Sequence, residues 1–457
     1  MFKGSNFRGK RACVLGGGKS GMAAAELLSK KGFKVLISEE KEIKISALDL
    51  PKNTTAETGG HTDKIWECGF IVKSPGIMPS NHILKEAKKR GVPVFSETEV
   101  SVSYLPASCK IFAITGTNGK TTTTLLLTEI LKTFVEKENK GRRVFTVGNI
   151  GDPLANYIGE IKPKDLIVME VSSYQLEDST YFKPYAAALL NITPDHLDHH
   201  GSLKKYIEAK CKIFESQQEG DIAIINSMDK NCTKAVAASK ANVYGFATKP
   251  MHEVRAHVFY DGDEIIFNTG EHLKPPKLPG IHNIENAMAA SLMALKFGVS
   301  KEVLQQAFNT FRGAAHRIEI FLKKDGLTFI DDSKATNVDS TVTALKAVGE
   351  ANPGKVFLIL GGRDKCAPYT PLLPLLEKYC KTVLTVGEAA DKIKKELSSF
   401  KQIINCENIE NTVKYFLQKA KEGDILLLSP ACASFDQFKN FEARGKYFKK
   451  ICRGLTK

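Results

Sequence analysis

Short apolar runs alternate with amphipathic stretches along the chain. Runs at Arg11–Leu15, Val35–Ile37, Phe70–Val72, Ile111–Ile114, Arg143–Val147 and Leu166–Met169 predict strands, as do Ala186–Ile192, Ile222–Asn226, Leu327–Ile330, Val356–Leu360, Thr382–Val386 and Ile425–Leu428. Between them the period changes: Ile409, Val413, Phe416, Leu417 and Ala420 recur at i, i+4, i+7, i+8 and i+11, the spacing of one helix face. Strands apolar on both faces and separated by helices mark parallel sheets covered on both sides. The predicted class is α/β.

Two breaks divide this pattern. Leu105-Pro106-Ala107-Ser108 reads as a linker before a fresh strand, and Arg312-Gly313-Ala314 follows a helical region. They predict domains over 1–107, 108–312 and 313–457. Met251 to Pro279 carries short alternating runs, an Asp261-Gly262 turn and Pro275-Pro276, which predict a small β insertion in the middle domain.

Composition narrows the class. The 457 residues suit about three domains of roughly 150 residues. The net charge of +14 permits an anionic partner, but no block of five like charges occurs, so small anions are expected rather than nucleic acid. Ten cysteines lie scattered with no C-x-x-C pair, as buried reduced thiols do. No run approaches the ~18 apolar residues of a membrane span. Met1 to Lys10 lacks the apolar stretch of a secretory signal, and a soluble cytoplasmic protein is expected.

Two glycine loops carry candidate chemistry. Gly16, Gly18 and Gly21 satisfy G-x-G-x-x-G between a strand and a helix, which fits either a diphosphate site or a structural turn. Glu39 or Glu40, about 20 residues on, could take a ribose hydroxyl as a nicotinamide site requires. The second loop, Gly116-Thr117-Asn118-Gly119-Lys120-Thr121-Thr122, also joins a strand to a helix. Its G-K-T is the working end of a phosphate loop: backbone amides cradle phosphates, Lys120 reaches the β- and γ-oxygens, and Thr121 can take Mg²⁺. The full Walker spacing fails, because position 114 is Ile. A nicotinamide-dependent oxidoreductase, the competing class, leaves this second loop unexplained.

Glu170 ends one predicted strand and His196 follows another, on the sheet edge where a parallel sheet binds ligands. Both could sit beside Mg²⁺ at a triphosphate. Most of the cluster Asp195, His196, Asp198, His199 and His200 reads as solvated loop polars, with a His196/His200 zinc pair as the lesser alternative. Lys210 falls on the apolar stripe of Leu203, Ile207 and Phe214. Such a lysine either snorkels out, is paired, or is neutral and can react with CO₂ to give a metal-binding carbamate.

Taken together, the G-T-N-G-K-T-T loop, Glu170-Val-Ser-Ser-Tyr-Gln, Asn191-Ile-Thr-Pro-Asp-His, Tyr206-x-x-Ala-Lys210, Gly280-Ile-His-Asn-Ile-Glu-Asn286, His316-Arg317, Asp332-Ser-Lys-Ala-Thr-Asn337 and Ser429-Pro-Ala-Cys-Ala-Ser-Phe-Asp-Gln-Phe resemble the Mur ligases. The last two resemble most the members that add D-glutamate. The resemblance implies three α/β domains: a Rossmann-like one for the UDP-substrate, a central P-loop ATPase-type parallel sheet, and a Rossmann-like one for the amino acid. It implies a monomeric, ATP-dependent ligase joining D-glutamate to UDP-N-acetylmuramoyl-L-alanine, with two Mg²⁺ ions and CO₂ as a lysine carbamate. Thr121, Glu170, His196 and carbamylated Lys210 would hold metal. Residues Gly116 to Thr122, with Asn283, Asn286, Arg317 and Asp332, would bind ATP. Lys19, Ser20, Gly76 and Asn149 would contact the UDP-substrate, and Thr336, Lys365, Ser434 and Phe441 would frame D-glutamate. Glu39-Glu40 departs from the family's Thr-Arg, so the uracil end must be held differently. A ligase adding another amino acid, including a folate-type glutamate ligase, is the nearer rival.

Overall fold

The structure, a computed structural model, describes all residues except 1–5, 8–9, 46–48, 139, 238, 250–255, 366 and 457, and the side chain of 198. Three sheets follow one another along the chain. The first contains β1 (Arg11–Leu15), β2 (Lys34–Glu39), β3 (Thr54–Thr58), β4 (Ile71–Lys73) and β5 (Val94–Ser96), in the order β3-β2-β1-β4-β5 and all parallel. Strand order reverses between β1 and β4, where a crevice opens at the carboxyl ends of a doubly wound sheet.

The second sheet contains β6 (Lys110–Thr115), β7 (Val144–Gly148), β8 (Leu166–Glu170), β9 (Ala186–Leu189), β10 (Ile222–Asn226), β11 (Asn242–Ala247), β12 (Val258–Tyr260), β13 (Ile265–Phe267) and β14 (His272–Leu273). Their order is β14-β13-β12-β11-β10-β9-β6-β8-β7. The pairs from β7 through β12 are parallel, and β13 and β14 add antiparallel strands at the edge. These edge strands form the predicted insertion, with Asp261 Oδ1 accepting from the backbone N–H groups of Asp263 and Glu264 at its turn. Its first predicted residues, Met251 to Arg255, lie outside the described residues.

The third sheet contains β15 (Glu319–Lys324), β16 (Leu327–Asp331), β17 (Val356–Gly361), β18 (Cys380–Val386), β19 (Ile403–Glu407) and β20 (Ile425–Leu428). They run in the order β15-β16-β20-β17-β18-β19, parallel except for β15 on β16. Phe357 and Ile359 enter one apolar cluster while Leu358 and Leu360 enter another. That alternation buries both faces of β17 and explains its continuous apolar run.

By contact, the chain forms two compact units: Met1–Pro275 with Ile284–Thr310, and Pro276–Asn283 with Phe311–Lys457. The first two sheets share a unit because one apolar cluster runs from Val14, Leu28 and Phe70 through Leu154 and Ile158 to Ile111 and Ile213. The helix Lys120–Glu138 fully buries Leu126, Leu127, Ile130 and Leu131. At roughly 1.5–3 kcal/mol for each buried leucine or isoleucine, that face anchors the loop before it. Among the described residues, no helix is long and apolar enough to cross a membrane.

The strand predictions differ from the structure in particular places. β9 stops at Leu189 rather than Ile192, because Asn191 leaves the sheet to bind the phosphate loop. β3, β5, β11, β15 and β19 fall outside the predicted runs: Thr54–Thr58 has no apolar run, Val94–Ser96 is only three residues long, and Asn242–Ala247, Glu319–Lys324 and Ile403–Glu407 each leave polar or exposed positions.

Candidate active site

The loop between β6 and the helix Lys120–Glu138 is built by its glycines and by two asparagines. Gly119 has φ +85°, and a Cβ there would stand 2.2 Å from Asn286 Oδ1. Asn286 Oδ1 also accepts from Thr123 Oγ1 at 3.1 Å. On the other side, Asn191 Oδ1 accepts from the Asn118 N–H at 2.8 Å, while Asn191 Nδ2 donates to Asn118 O at 3.2 Å. Asn191 O accepts from the Thr117 N–H. The backbone of Gly116 to Gly119 is thus preset for anion binding at a helix N-terminus. Lys120 Nζ lies over the same loop, donating to Gly116 O at 2.9 Å and Thr117 O at 2.8 Å.

Below the lysine, Thr121 Oγ1 donates to Glu170 Oε2 at 2.8 Å, and Glu170 Oε1 accepts from Asn149 Nδ2 at 2.8 Å. Glu170 closes β8 and is buried, so a hydroxyl and a carboxylate face each other at the strand ends. Hard oxygen donors of this kind suit Mg²⁺. Thr122, next in the helix, is also buried.

Lys210 does not snorkel. It is 1% exposed, donates to Gly116 O at 2.8 Å, and lies 4.7 Å from the centre of the Tyr206 ring. Burial, and after it the charge of Lys120, push its ammonium well below the ordinary lysine range. Burial that favours the neutral amine beneath the phosphate loop is the condition a carbamate needs. His196 is different: its side chain is 46% exposed, its backbone is left-handed at φ 52°, and its ring packs against Tyr174 and Tyr206.

Two neighbours correct the sequence reading. His199 and His200 are buried, not solvated: His199 pairs with Glu177 at 2.9 Å, and His200 Nε2 lies 3.0 Å from Ser173 Oγ. The short helix Leu197–His200 turns them inward, a geometry that no periodicity over four residues discloses.

The first glycine loop opens onto a cleft of about 950 Å³ at the carboxyl ends of β1, β2 and β4. Lys19, Ser20, Gly76 and Asn149 all line it. Gly16 has φ +94°, and a Cβ on Gly21 would meet Gly16 O at 1.9 Å, so both glycines are sterically required. Lys19 Nζ donates to Gly151 O and pairs with Asp152, each at 2.8 Å. Glu39 lines the same cleft, its Oε2 accepting from the Gly17 N–H at 2.8 Å and its Oε1 from the Lys41 N–H. Burial raises its pKa, but these two N–H groups outweigh it and hold the carboxyl below its usual range.

In the second unit, Asp332 follows β16 and is buried, with Oδ2 accepting from Ser429 Oγ at 2.7 Å and Oδ1 from the Ile318 N–H at 3.2 Å. Burial pushes its carboxyl up to about 7, against the Ser429 bond and the Arg317 charge. Arg317 itself is exposed. Asn283 Nδ2 donates to Pro279 O at 2.7 Å. Lys365 Nζ lies 3.4 Å from Thr336 Oγ1, bringing two of the predicted amino-acid contacts together. Ser434 is buried, and its carbonyl accepts from the Phe438 N–H at 2.8 Å. Phe441 opens the last helix, 6.2 Å from the His316 ring and 6.0 Å from Lys334 Nζ. Sequence reasoning missed Arg444, which is buried and donates to Ser333 O, Cys432 O and Ala433 O, tying together the loops that carry these residues.

The family description "Mur ligase MurD-like, N-terminal domain" matches residues 10–96, "Mur ligase middle domain" matches 114–294, and "Mur ligase, glutamate ligase domain" matches 316–432. The chain is 60% identical over 455 residues to a UDP-N-acetylmuramoylalanine--D-glutamate ligase of Elusimicrobium minutum, covering 100% of both chains. It is 40% identical over 460 residues to the enzyme of that name from Koribacter versatilis, covering 98% of each. Among solved structures, UDP-N-acetylmuramate-alanine ligase from Thermotoga maritima matches with a TM-score of 0.59 and 20% identity, over 97% of this chain and 99% of that one. MurF from Acinetobacter baumannii matches with a TM-score of 0.61 and 17% identity, over 93% and 86%. The structural matches concern the fold alone. Full-length identity to two curated ligases and three successive domain matches place it: the chain belongs to the Mur ligase family.

Proposed function

We propose that this protein is an ATP-dependent ligase that joins D-glutamate to UDP-N-acetylmuramoyl-L-alanine, a step of peptidoglycan precursor synthesis in the cytoplasm. The observation that carries the reading is the position of Glu170, bonded to Thr121 of the phosphate loop and to Asn149 of the substrate cleft. One carboxylate thereby links the place where a triphosphate fits to the place where a nucleotide-sugar fits. The names of the full-length relatives supply the amino acid.

On this reading residues 1–107 hold the UDP-substrate, 108–312 hold ATP, and 313–457 hold the amino acid. The reaction must activate an unreactive carboxylate. Its oxygen attacks the γ-phosphorus of ATP, ADP leaves, and an acyl phosphate forms. The D-glutamate amine then attacks the acyl carbon, loses a proton, and inorganic phosphate leaves with its C–O bond electrons. Two anions meet in the first step, so charge neutralisation and alignment provide most of the catalysis. Lys120 supplies a cation at the transferred phosphoryl group, and the Gly116–Gly119 amides hold the adjoining phosphates. Thr121 and Glu170, with His196 and Lys210 as its carbamate, would hold two Mg²⁺ ions, which supply further neutralisation when bound. The burial of Lys210 supports carbamate formation, in which its neutral nitrogen adds to CO₂ and loses a proton.

Asn286, with Asn283, Arg317 and Asp332, is assigned to ATP. Lys19, Ser20, Gly76 and Asn149 are assigned to the UDP-substrate, and Thr336, Lys365, Ser434 and Phe441 to D-glutamate. The test is to offer each amino acid in turn with ATP and UDP-N-acetylmuramoyl-L-alanine and to weigh the product. D-Glutamate alone should yield a product heavier by one glutamyl residue. Preference for another amino acid, or an absorbance change with NAD(P)H and no phosphate release, would refute the proposal.

A further inference from the structure

A second cluster of metal-ligating side chains stands apart from the Thr121–Glu170 pair. His199 Nε2 lies 2.9 and 3.0 Å from the two carboxylate oxygens of Glu177, and His200 Nδ1 lies 3.5 Å from Glu177 Oε2. One ligand atom from each of the three residues lies within 4.8 Å of the other two. A tetrahedral ion with bonds of about 2.0–2.1 Å sets its ligand atoms roughly 3.3 Å apart, so small side-chain rotations would admit one.

The surroundings are those of a built site. Both imidazoles are more than nine-tenths buried. His200 presents its other ring nitrogen to Ser173 Oγ at 3.0 Å, the outer hydrogen bond that orients a ligating histidine. The Tyr174 ring stacks on His200 at 5.6 Å and meets His199 edge-on at 4.2 Å. Lys73 Nζ is 2.6 Å from Glu177 Oε1 and also 2.6 Å from Asp178 Oδ2. The ammonium therefore keeps a partner of its own while Oε2 turns to a metal. One side faces a cavity of about 600 Å³, which leaves a fourth position open to water or a small anion.

We propose that Glu177, His199 and His200 form a binding site for a borderline-soft divalent cation of the Zn²⁺ class. Two imidazoles to a single carboxylate suit Zn²⁺ or Co²⁺, whereas Mg²⁺ sites are built mainly of oxygen donors. The competing account is a purely electrostatic His199–Glu177 pair. The substitution His199→Arg separates the two, since an arginine keeps a cation against Glu177 and offers no metal ligand.

The experiment titrates Co²⁺, then Zn²⁺, into the full chain in excess Mg²⁺, followed by visible absorption and calorimetry. Wild type should bind one equivalent with a tetrahedral Co²⁺ band that Zn²⁺ abolishes. His199→Arg and His199→Gln, each verified as folded by circular dichroism, should weaken binding by roughly 100-fold or more, while His196→Ala changes it by less than about twofold. Binding by either His199 variant equal to wild type, or a Zn²⁺ site that vanishes only in His196→Ala, would overturn the proposal.

Discussion

Glu170 and Asn149 meet at 2.8 Å, and through this bond the phosphate loop and the first-sheet cleft share one carboxylate. Asn149→Ala removes a donor from the cleft and leaves one Glu170 oxygen without that partner. The expected outcome is a rise of about tenfold or more in the KM for UDP-N-acetylmuramoyl-L-alanine and a smaller change in that for ATP, as a lost hydrogen bond to a charged group of about 1.5–3 kcal/mol implies. Steady-state kinetics with each substrate varied in turn checks it.

Lys120→Ala removes the cation that lies over Gly116 and Thr117. The transferred phosphoryl charge is then uncompensated, and turnover should fall on the order of 10³-fold or more. A folded variant that keeps more than about a tenth of the phosphate release would contradict the role given to the loop.

Lys210 carries a pH signature. Its folded-state pKa lies well below 10.5, so the unfolded chain binds more protons between those two values. Raising the pH through that window must stabilise wild type relative to Lys210→Met. Denaturant midpoints of the two proteins at about pH 7 and about pH 9, in CO₂-free buffer, test the sign. A difference that does not change with pH would mean that the amine stays protonated in the fold.

Asp332 carries the opposite one. With its carboxyl at about 7 in the fold against 3.8 ordinarily, the folded state binds the extra proton. Raising the pH from about 4 to 7 should therefore destabilise wild type relative to Asp332→Asn, by up to roughly 4 kcal/mol across the span. Thermal melts across that range measure it, and parallel curves for the two proteins would contradict it.

Lys365→Ala tests the amino-acid end. With its ammonium 3.4 Å from Thr336 Oγ1, it is placed to offer charge to a carboxylate. Its loss should raise the KM for D-glutamate tenfold or more, at roughly 1.4 kcal/mol per decade, and leave the KM for ATP within about twofold. Equal effects on both would indicate a structural role.

Apolar runs made most of the architecture legible, because β1, β6, β8, β17 and β20 are buried on both faces and their composition reports it directly. Edge positions hid β3 and β19, and polar positions hid β11 inside its sheet. β3 pairs on one side only, so Thr54–Thr58 needs no apolar run to hold its place. At the site, Lys210 was readable because a cation interrupts an apolar stripe on a helix long enough to have a period. The burial of His199 and His200 was not, since a four-residue helix leaves their direction to its left-handed ends at His196 and Gly201. Nor could the side chain of Asn191 be assigned, because its bonds to Asn118 cross 73 residues of sequence. Glu39 shows a related limit: its spacing from the glycine loop fits a ribose ligand, while its bond to the Gly17 N–H crosses 22 residues of sequence.

The central claim, glutamyl transfer through an acyl phosphate, is tested most directly by isotope transfer. UDP-N-acetylmuramoyl-L-alanine labelled with ¹⁸O in the alanyl carboxylate is incubated with ATP, Mg²⁺ and D-glutamate, and both the phosphate and the nucleotide product are weighed. The expected result is one ¹⁸O atom carried into each inorganic phosphate released, matched by one new glutamyl residue on the product. Unlabelled phosphate, or labelled phosphate without the glutamyl product, would contradict it.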